Sequence, residues 1–252
     1  VWCAAGKGTF GTAELIKRVN ETDLKSRLNH RRLIVPQLGA VGVAAHEVRK
    51  STGLKVHYGP VFARDIKAYI KEGYKANKVM RKITFGWFDR LVLAPMEMRP
   101  AMKHFFWYAA IIMFFFGLGP KGIDFSAAIS SGLPFVFTGL VSLLAGSLIT
   151  PVMLPYIPFK AFAIKGWLAG MLATIICINL MGDIALPLII FSLVSFPLVS
   201  SYLALQFTGS STYTNMSGVN KELKIALPIY KWGGVLSILL LITFKVNQWG
   251  LI

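Results

Sequence analysis

The stretch Phe125–Ile149, FSAAISSGLPFVFTGLVSLLAGSLI, decides the fold because it contains no charged residue over a length that can cross a lipid bilayer. A transmembrane helix needs about 20 predominantly apolar residues. Further apolar runs lie on both sides of this stretch: Phe105–Leu118, Ala163–Met181, Ile184–Phe207 and Ile225–Phe244. The sequence therefore predicts an all-α membrane domain of about five transmembrane helices.

The charges divide the chain into two parts. Charged residues make up 15% of the 252 residues, against about 25% in a typical soluble domain. Residues 1–103 carry 20 of the 27 lysines and arginines and 8 of the 11 carboxylates, a net charge of +12 out of +16. We therefore predict a water-exposed domain over residues 1–98 and a transmembrane domain over residues 99–252.

The basic character of the first part favours a position beside the membrane. Lysine and arginine are enriched in cytoplasmic segments next to spans and near anionic lipid. No nucleic-acid-binding motif accompanies the charge, so membrane lipid and not nucleic acid is the predicted partner. Within the membrane half, Lys165 and Lys231 lie close enough to span ends to extend their amino groups to water.

The first hundred residues alternate between helix and strand patterns. Strands are predicted at Arg32–Pro36, Leu54–Tyr58 and Val79–Phe85, and helices at Thr12–Glu21, Val41–Lys50 and Val61–Lys71. This order predicts a parallel α/β sheet. Three strands are too few for a complete doubly wound domain, so we expect the chain to begin inside a domain.

The opening stretch Val1–Thr12, VWCAAGKGTFGT, carries the candidate chemistry. Its glycines Gly6, Gly8 and Gly11 satisfy G-x-G-x-x-G, the dinucleotide fingerprint. That fingerprint also needs a preceding strand and an acidic residue about 20 positions later, whereas the next predicted strand ends in Val-Pro-Gln. A membrane-bound redox protein that binds a nucleotide remains an alternative.

The same twelve residues resemble the cap-helix signature of the corrinoid protein of microbial mercury methylation. This family of membrane-anchored methyltransferases is related to the corrinoid iron–sulfur protein and CO dehydrogenase–acetyl-CoA synthase delta subunit family. The family motif begins with an asparagine, which would precede Val1. The resemblance continues at Ser26–His46, Gly59–Val61, Arg90–Pro95 and Phe207–Leu223.

The resemblance implies a fold and a location. It implies a Rossmann-like α/β corrinoid-binding domain, incomplete at its N-terminus, followed by the transmembrane helices. It also implies a multi-pass protein of the cytoplasmic membrane of a prokaryote, with the corrinoid domain on the cytoplasmic side.

The resemblance assigns the cofactor and its ligand. The family's defining cysteine falls on Cys3, which would be the lower axial ligand of cobalt in a bound cobamide and the catalytic residue. The thiolate is the form of cysteine that binds metals, and Lys7 adds a positive charge that favours it. The implied cofactor-binding residues are Trp2, Cys3, Ala4, Ala5, Gly6, Lys7, Gly8, Thr9, Phe10, Gly11 and Thr12.

The implied reaction is methyl transfer from the corrinoid to Hg(II), which gives methylmercury. A thiolate is a strong electron donor that helps the methyl group leave with its bonding electrons. A separate ferredoxin-like protein with 4Fe–4S clusters would supply electrons, because this chain has 2 cysteines and such a cluster takes four. A folate-linked methyl donor is also implied.

A transporter or channel with a basic cytoplasmic domain is the remaining alternative. Cysteine and methionine sulfur atoms are soft ligands, so mercury could pass along Cys177, Met153, Met171 or Met181. Single soft residues at helical spacing are more often packing residues. We therefore expect the membrane half to act as an anchor or docking platform.

Overall fold

The computed structural model describes residues 11–120, 122–211, 213–214 and 216–250. The chain divides into two compact units, one that ends at Thr84 and one that begins at Phe85. The sequence had suggested a boundary between residues 98 and 99. The two units are described separately below.

The first unit contains short helices and one pair of strands. In chain order these are α1 Thr12–Glu21, α2 Leu24–Arg27, β1 Arg32–Val35, α3 Ala45–Thr52, β2 Lys55–Tyr58 and α4 Ile66–Lys71. The strands pair in parallel, with Leu33 opposite Val56. The predicted α1 is confirmed over its full length, and the first two predicted strands are confirmed to within one residue at their ends.

Apolar side chains from both strands and two helices form the core of this unit. Val35, Val43, Val48 and Val56 are buried together, and Leu15 and Ile16 of α1 pack against them. The Leu15, Ile16 and Val19 spacing puts one apolar stripe on α1. This stripe is what holds α1 on the strand pair.

The predicted Rossmann-like α/β domain is wrong. The structure is 73% helical with 5% strand, and the predicted third strand, Val79–Phe85, forms no strand. Local bonds occupy its backbone instead: Asn77 Oδ1 accepts from Met80 N at 2.8 Å, and Lys82 N donates to Val79 O at 3.1 Å. Of its apolar residues, Met80 is buried, but Val79 is 78% and Ile83 48% exposed, so the segment lacks the continuous burial that would favour a third strand.

The second unit is helical apart from one short hairpin. Its elements are α5 Trp87–Gly117, β3 Leu118–Gly119, β4 Gly122–Ile123, α6 Phe125–Met153, α7 Phe162–Met181, α8 Leu186–Gln206 and α9 Met216–Gln248. Helix α6 includes two π-helical segments, Ala128–Gly132 and Ala145–Ile149. The strands β3 and β4 pair antiparallel and join α5 to α6.

Four helices of the described residues, α6 to α9, are long and apolar enough to cross a membrane. The chain is therefore a membrane protein, but the prediction of about five spans is corrected to four. The fifth candidate, Phe105–Leu118, is the C-terminal part of α5. Its apolar run falls short of about 20 residues because Lys103 and His104 precede it.

Helices α6, α7 and α8 meet at Ser200. A methyl group added at Gly166 would lie 2.7 Å from the Ser200 carbonyl oxygen, and one at Gly170 would lie 2.9 Å from its Oγ. A methyl group at Gly146 of α6 would lie 2.8 Å from the Ser200 Cα. Small residues of this kind let transmembrane helices pack closely, where lipid gives no hydrophobic driving force between them.

Hydroxyl groups add hydrogen bonds at these crossings. Ser200 Oγ donates to Gly166 O and Ser201 Oγ to Ala163 O, both at 2.7 Å. Elsewhere Tyr108 OH of α5 donates to Phe135 O of α6 at 2.8 Å. Each hydroxyl group is thus hydrogen-bonded inside the bundle and links two helices.

We predict that Gly166→Ala destabilises the second unit whereas Gly234→Ala does not. The added methyl group would collide with α8 at Gly166, but at Gly234 of α9 nothing lies within 4 Å. Overpacking of this kind costs about 1–3 kcal/mol. The free energy of unfolding of the full chain in detergent measures the difference, and equal stability of the two variants would contradict the close packing at Ser200.

His57 of β2 is a half-buried histidine in a cationic setting. Its Nε2 is buried with no hydrogen-bond partner, and its ring lies 5.0 Å from that of Tyr74. Burial, together with the positive charges of Lys55 and Arg32, lowers the pKa of His57 below its ordinary value of 6.5. The folded unit therefore favours the neutral imidazole.

We predict that the first unit loses stability as the pH falls below about 6.5. Below this pH, His57 binds a proton more readily in the unfolded chain than in the folded one. The contribution of neutral His57 to stability is therefore fully present above the unfolded pKa and is lost as the pH falls toward the lower folded pKa. Hydrogen exchange of the β2 amides, corrected for intrinsic rates, should show this loss of protection. His57→Gln should remove it; the same pH dependence in that variant would exclude His57 as the cause.

Candidate functional site

The structure describes the end of the predicted cofactor segment. Trp2, Cys3, Ala4, Ala5, Gly6, Lys7, Gly8, Thr9 and Phe10 lie outside the described residues. Gly11 and Thr12 lie inside them. Gly11 is the N-cap of α1 with extended backbone, φ −138° and ψ −179°, and Thr12 is the first residue of the helix.

Thr12 anchors the start of α1 to the connection between β1 and α3. Thr12 N donates to Gly42 O at 3.0 Å, and its Oγ1 donates to the same oxygen at 3.2 Å. The same Oγ1 accepts from Ala44 N at 2.9 Å. The residue before it, Gly11, is therefore held at a fixed point of the first unit.

The connection at this anchor consists of small residues. It reads Gly-Ala-Val-Gly-Val-Ala from Gly39 to Ala44, and it is held by Val43 N donating to Gly39 O at 3.0 Å. Val41 is 87% exposed, whereas Val43 is buried in the core. No long or charged side chain stands among the residues from Gly39 to Ala44.

The described residues contain no group of three or more His, Cys, Asp and Glu side chains that could hold a metal ion. Cys177 is buried in α7 as a free thiol. Met153 ends α6 and Met181 ends α7, at opposite ends of the helices. Met153 and Met181, two of the soft residues named for mercury passage, are therefore not brought to one place.

Sequence reasoning missed three charged groups at one end of the second unit: Arg90 and Lys165, which are buried, and Glu222, which is half-buried. Lys165 is 6% exposed, and its Nζ donates to Leu154 O. The prediction that Lys165 extends to water is wrong, because the end of α6 supplies a buried acceptor. A lysine near a span end is compatible with either placement, so sequence position could not distinguish them.

Glu222 of α9 caps the start of α7. Its Oε1 accepts from Phe162 N at 2.6 Å, and the charge of Lys165 lies within electrostatic reach of the carboxylate. An acidic group at a helix N-terminus satisfies free N–H groups and favours the helix dipole. In the sequence, the rarity of carboxylates could have pointed to Glu222, because residues 104–252 hold only three of them: Asp124, Asp183 and Glu222.

We predict that Thr12→Val weakens the anchor of α1 and that Thr12→Ser preserves it. Valine has nearly the same shape but leaves the half-buried Ala44 N without its acceptor, which costs about 1 kcal/mol, at the low end of the range for a fully buried donor. Hydrogen exchange of the Ala44 amide in the full chain measures the loss. Unchanged protection in Thr12→Val would mean that the hydroxyl does not hold α1.

No protein-family model, no curated protein and no solved structure matches this chain.

Proposed function

We propose that the chain belongs to a corrinoid-dependent methyltransferase that forms methylmercury from Hg(II). The observation that carries the proposal is the VWCAAGKGTFGT segment, which resembles the cap-helix signature of the mercury-methylating corrinoid proteins. Two structural findings support it. The segment leads into an anchored helix, α1, and the same chain holds four helices able to cross a membrane.

Cys3 would hold the cobalt of the cobamide as a thiolate. The negative charge of the sulfur favours a higher charge on the metal, and Lys7 favours the ionised sulfur. The glycines and alanines from Ala4 to Gly8 would leave the backbone open to the ring, since they carry little or no side chain. Thr12 would then be a positioning residue, because its hydroxyl is bonded within the protein.

A bound corrinoid would supply a cobalt–carbon bond, from which the methyl group and its bonding pair would pass to Hg(II). For a further turnover the ferredoxin-like partner would supply two electrons and the folate-linked donor a new methyl group. The chain's 2 cysteines cannot hold a 4Fe–4S cluster. The electron donor in this proposal is therefore a separate protein.

The membrane unit would act as the anchor that keeps this chemistry at the cytoplasmic membrane. Two of its charged side chains have structural roles, since Glu222 caps α7 and Lys165 binds the end of α6. These contacts favour a packed bundle over a conducting path. The segment that carries the chemistry would face the cytoplasm, as its basic surroundings suggest.

We predict that Cys3→Ala abolishes methylmercury formation whereas Cys177→Ala leaves it intact. The two variants remove the two cysteines of the chain one at a time, and Cys177 is 4% exposed within α7. The purified full chain, loaded with methylcobamide under anaerobic conditions, is mixed with Hg(II) and assayed for one equivalent of methylmercury. A single turnover needs neither the reductant nor the folate donor, so the chain's own step is isolated.

The visible spectrum of the loaded chain supplies a second readout. We expect thiolate ligation to change the cobamide spectrum in the wild type and in Cys177→Ala, and to be lost in Cys3→Ala. Methylmercury formation by Cys3→Ala at the wild-type rate would refute the role of Cys3. Normal cobamide binding without any methylmercury would refute Hg(II) as the acceptor.

A further inference from the structure

An open groove runs along the membrane-spanning part of the second unit. It has a volume of about 540 Å³ and is lined by residues of α7, α8 and α9, all of them apolar. Helix α8 bonds to α7 through Ser200 Oγ and Gly166 O, and to α9 through Ser195 Oγ, which donates to Ser237 Oγ at 2.6 Å. The groove therefore runs along α8, with α7 on one side and α9 on the other.

Two tryptophans border the groove on the side that faces lipid. Trp167 of α7 is 39% exposed, and Trp232 of α9 is 74% exposed. Gly233 and Leu198 also line the groove, and a methyl group added at Gly233 would lie 2.1 Å from Leu198 Cδ1. A larger side chain at Gly233 would therefore take up space in the groove.

The groove extends from within one leaflet to the middle of a bilayer. Helix α7 has 20 residues, about 30 Å at the usual rise, which equals the thickness of the hydrocarbon. Its first residue, Phe162, therefore lies at the edge of the hydrocarbon, and its bond to Glu222 brings α9 to the same level. Along α9, the groove residues Pro228 and Leu236 lie about 9 Å and 21 Å beyond Glu222.

Two exposed lysines lie at the membrane surface above this groove. Lys160 comes two residues before α7, and Lys221 adjoins Glu222 in α9. Lys221 precedes Pro228 by seven residues and Trp232 by eleven, so these three residues lie on one face of α9. Among the described residues, the ion pairs join other side chains, and Glu222 accepts from the start of α7. Both ammonium groups are therefore open to an anion at the membrane surface.

We propose that the groove binds one acyl chain of an anionic phospholipid whose headgroup lies at Lys160 and Lys221. Charge at the surface with an apolar groove beneath it is the order of the two parts in such a lipid. Lysines near a membrane surface attract anionic lipid. A neutral lipid or an apolar partner helix would fill the groove but leave both lysines without a counter-charge. This site is independent of the corrinoid chemistry proposed above.

Native mass spectrometry of the full chain tests the proposal directly. The chain is purified in a mild detergent and mixed with equal amounts of phosphatidylglycerol and phosphatidylcholine that carry the same acyl chains. We expect one phosphatidylglycerol to stay bound to each chain in preference to phosphatidylcholine. Loss of all lipid, or equal retention of the two lipids, would overturn the proposal.

Filling the groove should remove the lipid. Gly233→Leu places a side chain in the groove, whereas Gly234→Leu adds the same side chain where nothing lies within 4 Å. We expect Gly233→Leu to lose most of the retained phosphatidylglycerol and Gly234→Leu to keep it. Equal retention by the two variants would show that the lipid lies elsewhere. A lipid-free dimer that Gly233→Leu abolishes would make a second copy of the chain the occupant, which also overturns the proposal.

A second pair of variants keeps the test decisive if Gly233→Leu does not fold. Trp232→Ala removes one side of the groove and should weaken the retention of phosphatidylglycerol several-fold. Trp107→Ala is the matched control, because Trp107 of α5 is 71% exposed and does not line the groove. Equal weakening in both variants would contradict binding in the groove.

The lysines should determine the preference for the anionic lipid. Lys160→Gln combined with Lys221→Gln should lower the ratio of bound phosphatidylglycerol to phosphatidylcholine at least about tenfold, since each lysine at a membrane surface contributes about fivefold. Lys231→Gln removes an exposed lysine of α9 that does not line the groove and should leave the ratio unchanged. An unchanged ratio in the double variant, or an equal fall in Lys231→Gln, would overturn the assignment of the headgroup to Lys160 and Lys221.

Discussion

The close approach of three helices at Ser200 is the constraint on which the membrane unit depends. Gly146, Gly166 and Gly170 leave no room for a side chain there, and the Ser200 hydroxyl uses the space to bond α7. In lipid, packing and interhelical hydrogen bonds replace the hydrophobic effect as the source of association. The start of α7 is thereby fixed, and this is where Glu222 and Lys165 find their partners.

The two ends of this unit satisfy their charges differently. At one end, Arg90 and Lys165 are buried and Glu222 is half-buried; Lys165 binds the residue that follows α6, and Glu222 binds the first residue of α7. At the other end, Lys245 donates to Leu118 O at 2.8 Å and to Gln248 Oε1 at 3.0 Å, which ties α9 to the α5–α6 hairpin.

The apolar periodicity predicted α6 to α9, because length and hydropathy are properties of each helix alone. The same reasoning overcounted at α5, whose apolar run is too short by itself. It also predicted a third strand at Val79–Phe85, where the side chain of Asn77 instead accepts a hydrogen bond from Met80 N. Contacts such as Thr12 with Gly42 join residues that are 30 positions apart. Local sequence patterns do not predict contacts between residues so far apart. The anchor of the candidate segment and the partners of the charged groups therefore required the three-dimensional structure.

The functional account rests on the Cys-Gly segment that precedes this anchor. The glycines of this segment also match the dinucleotide fingerprint, but β1, which reads Arg-Leu-Ile-Val, ends without the acidic residue that a dinucleotide site needs. The most direct measurement is cobalt X-ray absorption of the full chain loaded with cobamide. The account predicts one sulfur atom in the first coordination shell of cobalt, contributed by Cys3. A shell made only of nitrogen and oxygen atoms would contradict it.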